Sequence, residues 1–343
     1  MKRGELMTNA SIEAADGVLD SRVPSLKQDI FSRGFAKVCL PILSVMLAVV
    51  LDILMPRSYE QKVVEEPWFS LLLLAVLGVY LIMLAYKKMR SSATAAAPFI
   101  AGAVLFFNIY NVLSAKLAVL PVLYFPAPDR ILAVFTEDPV YLMTCVAYSY
   151  RLLLLGWLFG ALVGVLTGVL VGFSKTASYW ISPLVRGLGP IPSTAWIPLV
   201  LVAFPSVVSG SVFLIALAVW FPTTVLTASG IANIKKSYFE AASTLGASRF
   251  YQIIHVGIPA AMPNVFLGLF NGTCSSFITL MTAEMLGAKY CLGWYINWQK
   301  EMMAYSNVYA GLIMIAVSFY LIITGMFKIR SRVLGWQEGV IKW

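Results

Sequence analysis

The chain has 343 residues, 60% of them hydrophobic and 12% charged, and its 25 Lys and Arg against 16 Asp and Glu give a net charge of +9. That leaves too little polar surface to cover a soluble globule, so the composition points to an integral membrane protein. Apolar runs long enough to cross about 30 Å of hydrocarbon as helices recur, and the alternating pattern of barrel strands does not, so helices are the expected spanning element.

Residues 1–36 carry Glu5, Glu13, Asp16, Asp20 and Asp29 ahead of any apolar run, which does not fit a cleavable signal peptide. This segment is expected to be a cytoplasmic tail. Within it Val23, Leu26, Ile30 and Phe31 share a helical face bordered by Arg22, Lys27 and Arg33, the pattern of a helix lying along the inner membrane surface. Spans are predicted at 37–54, 68–86, 98–119, 142–173, 180–204, 211–231, 260–286 and 308–328. With the N-terminus inside, most Lys and Arg fall on inner segments. Arg57, Lys62, Lys116, Arg130, Arg151, Lys289 and Lys300 are left on the outer side or within spans. Both termini are therefore expected in the cytoplasm, and membrane topology accounts for the positive charge without nucleic acid.

Asp52 lies near the outer end of the first span, close enough to water to be solvated. On the fourth span Gly156, Gly160, Gly164 and Gly168 recur at four-residue intervals, which reads as a helix-packing stripe. Arg151 on that span and Glu284 on the seventh both fall in the outer half of the membrane. They are expected to form an ion pair that holds the core helices together, with a direct anion-binding role for Arg151 as the alternative. The prolines of 190-PIPSTAWIP-198 predict that the fifth span begins as broken helix.

After Pro222 on the sixth span, Thr223, Thr224 and Thr227 can satisfy the carbonyl that the proline frees, and Thr223 and Thr227 are candidates for lining a pathway. On the seventh, Asn271, Ser275, Thr279 and Thr282 share one helix face. They either line a water-filled pathway or bond across to neighbouring helices. Cys39, Cys145 and Cys274 lie in spans without paired spacing, Cys291 stands alone in an outer loop, and His255 is the one histidine, so no metal site or cofactor is expected. No GxxxxGK[ST] phosphate loop is present, so any ATP dependence must come from a partner.

The inner connection 233–257 is unusual for a chain this apolar. Ser237 and Glu240 read as a capping box opening one helix, Gly246 offers a break, and Ala247 to Ile254 can form a second helical piece that ends before Gly257-Ile258-Pro259. Ala241, Ala242, Ala247 and Ser248 permit close backbone approach, with Tyr238, Phe239, Leu245, Phe250 and Tyr251 as apolar anchors beside Arg249. From the residues alone, this loop can either hold a partner or rest on the bilayer.

Glu240, Ala241, Ala242, Gly246 and Pro259 match the Glu-Ala-Ala…Gly…Ile-x-Leu-Pro signature and resemble the inner-membrane permease subunits of binding-protein-dependent ABC importers, with Val256 and Ile258 as conservative departures. Two further stretches, 183-PLVRGLGPIPSTAWIPLVLVAF-204 and 283-AEMLGAKYCLGWYI-296, resemble the nitrate, sulfonate, taurine and bicarbonate branch, with Cys291 replacing a usual Gly. The resemblance runs from about Phe125 to Trp336. It implies an all-α, MetI-like permease with about eight transmembrane helices in the cell inner membrane. Its expected parts are the tail 1–36, two additional helices at 37–90, and an importer core at 91–336.

The resemblance further implies that the loop is a coupling helix contacting the ATPase through Glu240, Ala241, Ala242, Gly246, Ala247 and Arg249. Two cytoplasmic ABC ATPases, an external substrate-binding protein and a second permease copy or homologue are the implied partners, and the permease itself catalyses no reaction. The implied solute is a small anion such as a sulfonate, nitrate or bicarbonate. A secondary transporter or channel acting alone, and a scaffold subunit of a membrane complex, are the rival readings.

Overall fold

A computed structural model describes residues 37–57, 67–121, 123–285 and 287–337. The amphipathic tail helix expected within 1–36 and the Lys62 of the first outer loop lie outside these residues. Among the described residues the regular structure is entirely helical. Seven helices are long and apolar enough to cross a membrane, and the number rises to eight if one bent pair counts as a span. The described residues form two compact units that part between Ala133 and Val134.

The first unit holds α1 (Lys37–Leu54), α2 (Trp68–Ala85) and α3 (Arg90–Asn111). Ala93, Ala97 and Ala101 recur every fourth residue on α3 and are fully buried, so small side chains set the helix approach here. Val45, Ala48, Phe69, Leu73 and Val104 fill the space between the three helices. One further turn, Val112–Lys116, widens to π geometry and brings the Lys116 ammonium back to α1.

That ammonium overturns the expectation of a solvated Asp52. Lys116 Nζ lies 3.0 Å from Asp52 Oδ1 and donates to the Asp52 carbonyl at 2.7 Å, and both side chains are at most 5% exposed. Ser70 Oγ and Asn111 Nδ2 donate to the same carboxylate at 2.7 and 3.1 Å. A carboxylate near a span's end can turn inward when neighbouring helices supply donors, and here three elements do. Nearby, Asp129 on α4 (Pro128–Glu137) accepts from Arg57 at 2.9 Å and from the Phe69 N–H at 2.8 Å. Burial pushes the Asp129 carboxyl above its ordinary value, against the Phe69 N–H and Arg57, which pull it down.

The second unit is organised around α8 (Val207–Ala232), which lies between α5 (Pro139–Phe173) and α11 (Ile258–Met285). The glycine stripe of α5 is where the two backbones meet. A Cβ at Gly156, Gly164 or Gly168 would lie 2.5–2.8 Å from Ile215, Thr223 or Thr227, and Gly172 continues the row against Ile231. On the other side of α8, Gly268 and Gly272 of α11 lie against Thr223 and Val219. The predicted fifth span is two pieces: α6 (Lys175–Leu188), and a 3-10 turn Ser193–Trp196 leading into α7 (Ile197–Ala203), bent by 87° at the Gly-Pro-Ile-Pro break. The remaining helices are α9 (Lys236–Thr244), α10 (Arg249–Gln252), α12 (Leu292–Glu301) and α13 (Tyr305–Val333).

Candidate functional site

Where the chain turns between α6 and α7, its Pro-rich segment faces α8 and α11 across a cavity of about 370 Å³. Pro192, Ser193 and Thr194 form one wall, Trp220, Phe221 and Pro222 of α8 a second, and Ser275, Ile278 and Thr279 of α11 the third. The segment cannot continue as helix, because Pro190 and Pro192 lack the N–H groups a helix needs there, so its backbone is left free to line space. Thr279 gives its hydroxyl proton to the Ser275 carbonyl at 3.0 Å, so Ser193 Oγ is the donor in the 2.6 Å contact with Thr279 Oγ1. Among the described residues no charged side chain lines the cavity. A solute here would meet hydroxyls, peptide dipoles and two aromatic rings.

The pathway candidates divide on this geometry. Ser275 and Thr279 line the cavity, whereas Asn271 is exposed on the same helix beyond it, and Thr282 bonds its own helix at the Ile278 carbonyl, 2.9 Å away. Thr223 and Thr227 do not line it. Both are fully buried in the α5–α8 seam against Gly164 and Gly168, and their hydroxyls have no partner among the described residues. Thr224 bonds Thr167 across that seam at 2.7 Å, and Trp220 Nε1 reaches the same Thr167 hydroxyl at 3.1 Å. The helical period explains most of the split: Phe221 and Pro222 face away from the threonines and into the cavity, whereas Trp220 shares the threonines' face and borders the cavity while its indole bonds Thr167 of α5. Sequence reasoning misses Ser193, Thr194, Trp220 and Phe221 as site residues, although the proline cluster beside the first two is a visible signal.

Arg151 and Glu284 are not brought together. Arg151 is exposed on α5, whereas Glu284 is fully buried and accepts the Gly293 N–H at 2.8 Å, leaving its second oxygen without a partner among the described residues. The bond pins the start of α12 to the end of α11, and only glycine fits at 293, where a Cβ would lie 2.8 Å from Glu284 Cβ and 2.9 Å from the Met281 carbonyl. Cys291, in place of the usual glycine, has an ordinary extended backbone (φ −100°, ψ 159°) and is buried, so a side chain is tolerated there.

At the end of the bundle where α5 finishes, residues 233–257 form an elbow. Gly246 takes φ +80° and breaks the helix between α9 and α10, as its sequence position predicts. The capping box is not formed. Lys235 (φ −60°, ψ 128°) is the residue outside the helix, so Ser237 already lies within the first turn and α9 has no side-chain cap; α10 is the capped helix, by Ser248, whose hydroxyl accepts from the Tyr251 N–H at 3.3 Å. The second piece also does not end before Gly257: it passes through a π turn, Ile253–Gly257, straight into α11.

Gln252 ties the two arms together, donating to Ser243 Oγ and the Ala247 carbonyl, each at 2.9 Å. Phe173, at the end of α5, is wedged between Phe239 (centroids 6.1 Å apart) and Gly257, where a Cβ would strike its ring. The elbow is thus fixed to the bundle on one side. On the other it presents Tyr238, Leu245, Phe250 and Tyr251, with Leu245 87% and Phe250 72% exposed, beside exposed Glu240, Ala241 and Arg249 and partly exposed Ala242 and Ala247.

Seven to eight membrane-length apolar helices, with an uncharged recess among them and an apolar elbow at one end, define a multi-pass membrane protein. The family described as binding-protein-dependent transport system inner membrane component matches residues 160–331, and the chain belongs to it. It is 29% identical over 169 residues to the taurine transport system permease protein TauC of Escherichia coli, covering 49% of this chain and 62% of that protein. It is 30% identical over 184 residues to SsuC of Bacillus subtilis, named for aliphatic sulfonates transport, covering 54% and 67%. The nitrate import permease protein NrtB of Synechococcus elongatus is 28% identical over 151 residues, with 44% and 54% covered. The chain therefore spans between about half and two thirds of the length of these relatives.

Proposed function

We propose that this chain is the translocation subunit of an ATP-driven importer and that its α9–α10 elbow is the socket for a cytoplasmic ABC ATPase. The observation that carries the reading is the elbow itself. Small residues and exposed aromatic side chains stand on a surface held rigidly by Phe173, Gly257 and Gln252, an arrangement suited to receiving a partner and transmitting its movement. Glu240, Ala241, Ala242, Gly246, Ala247 and Arg249 form the contact, and two ATPases serve two permease copies or a pair of homologues. The elbow then faces the cytoplasm, with both termini on the same side.

The recess between α6–α7, α8 and α11 is one half of the solute path, closed by the second subunit, with Ser193, Ser275 and Thr279 as its polar contacts. An external binding protein delivers solute to the opposite face. The relatives' names favour a small sulfonate or nitrate-like anion, and hydroxyls with peptide dipoles suit such a solute because they bind it without holding it as a lysine would. The test is affinity purification of the tagged full-length chain from its own membranes. An ABC ATPase should accompany the wild type and be lost in Gly246→Trp, while the variant still extracts as a folded monodisperse protein. Solute uptake that persists when no ATPase is present would reject the reading.

A further inference from the structure

A second cavity, of about 350 Å³, opens at the end of the bundle opposite the elbow, between the start of α5, α12 and the start of α13. Its size is at the lower end of that of small-molecule sites, roughly 300 Å³ and upward. Three aromatic side chains line it. Tyr141 and Tyr295 meet edge to face with centroids 5.8 Å apart, and Trp298 stacks on Trp294 at 5.3 Å. Tyr295 is 3% exposed.

Glu137 and Asp138 bring carboxylates to the same space and Asn307 an amide, and among the described residues no lysine or arginine lines it. An anion is disfavoured by both carboxylates and by the negative faces of the rings. The positive end of α5 is not open to an anion either, since Asp138 caps it by accepting from the Tyr141 N–H at 3.2 Å. Aromatic faces with carboxylates at the rim instead match a cation bearing apolar groups, which loses little hydration on entry and is attracted by the ring quadrupoles.

We propose that this cavity binds a small organic cation, an ammonium or guanidinium with apolar substituents, separately from the solute recess beside α6 and α7. Such a group can arrive as a free amine or as a basic side chain of a protein seated on that face, and the test separates the two. The full-length chain is purified in maltoside micelles, which carry no choline head group, and titrated calorimetrically with choline, with its neutral isostere 3,3-dimethylbutanol, and with N-acetyl-argininamide.

Saturable choline binding is expected, at least tenfold weaker for the isostere. It should fall at least tenfold in Trp298→Leu and in Glu137→Gln/Asp138→Asn, where the amide oxygen introduced by Asp138→Asn keeps the cap on α5 and an unchanged thermal midpoint reports an intact fold. If the arginine amide binds with the same dependence on both variants and choline does not, the cation is a protein side chain. Binding of neither cation, equal binding of choline and its isostere, or binding that survives both variants overturns the proposal.

Discussion

Gly168 lets α5 and α8 approach, and replacing it with alanine tests the packing account. The added methyl would lie 2.5 Å from Thr227 Cβ and 2.9 Å from the Thr224 carbonyl, where ordinary contact needs about 3.4 Å or more. Neither neighbour can swing aside, since one atom is backbone and the other a Cβ on a buried residue, so the helices must part by roughly half an ångström to an ångström. Overpacking of this kind costs about 1–3 kcal/mol, and alanine's better helix propensity returns about 1 kcal/mol, for a net loss of about 0–2 kcal/mol. Gly164→Ala/Gly168→Ala should lose more than Gly168→Ala alone but less than the sum of the two single losses, because one parting of the seam relieves both methyls.

A methyl added at Gly325 on α13 would have nothing within 4 Å, so Gly325→Ala is the control and should be neutral or stabilising by up to about 1 kcal/mol. The assay is thermal unfolding in detergent followed by a thiol-reactive fluorophore, because Cys145 and Cys291 are buried and free and become reactive only on unfolding. Stabilisation by Gly168→Ala equal to that by Gly325→Ala would refute the reasoning.

In the first unit, Asp52→Asn or Lys116→Met leaves one buried charge uncompensated and should cost about 3–5 kcal/mol, whereas the double variant should recover much of that; matched single and double midpoints in the same thermal assay would contradict the pairing. Glu284→Gln keeps an acceptor for the Gly293 N–H and should unfold near the wild-type temperature, while Glu284→Ala orphans that donor and should cost about 1–3 kcal/mol. Arg151→Gln should leave the stability of the Glu284 region unchanged, since the two side chains are apart, and a loss matching Glu284→Ala would restore the ion pair. Gly257→Val pushes on Phe173 and should expose the elbow to limited proteolysis near residues 233–257 with little change in the midpoint of the bundle.

The spans are legible in the sequence because hydrophobic length is a strong signal, and the stripe from Gly156 to Gly168 is readable because four-residue spacing means one helix face. The Gly246 break is readable for a similar reason, a lone glycine between two helical patterns. What cannot be read is which way a polar side chain points once helices have neighbours. Asp52 looks solvated in sequence because its donors, Ser70, Asn111 and Lys116, come from distant parts of the chain, the last through a π turn that no local pattern announces.

Thr223 and Thr227 look like pathway residues because a proline precedes them, yet it is α5 that covers them. Glu284 matches the nearest plausible charge at its depth, whereas its partner is the backbone N–H of Gly293, invisible to any reckoning of charges. Ser237 has the right neighbours for a cap but the wrong backbone, since the helix has already begun at Lys236.

The most direct measurement is site-specific photocrosslinking from the elbow tip in intact membranes. A photoreactive side chain replaces Leu245, which is 87% exposed, and a second at Leu162 of α5, 62% exposed, serves as the lipid-facing reference. Position 245 should crosslink to an ABC ATPase identified by mass, with a yield that changes when ATP is trapped in the enzyme, and position 162 should not. Crosslinks from 245 to lipid alone, at the yield seen from 162, would contradict the elbow's role as the ATPase socket.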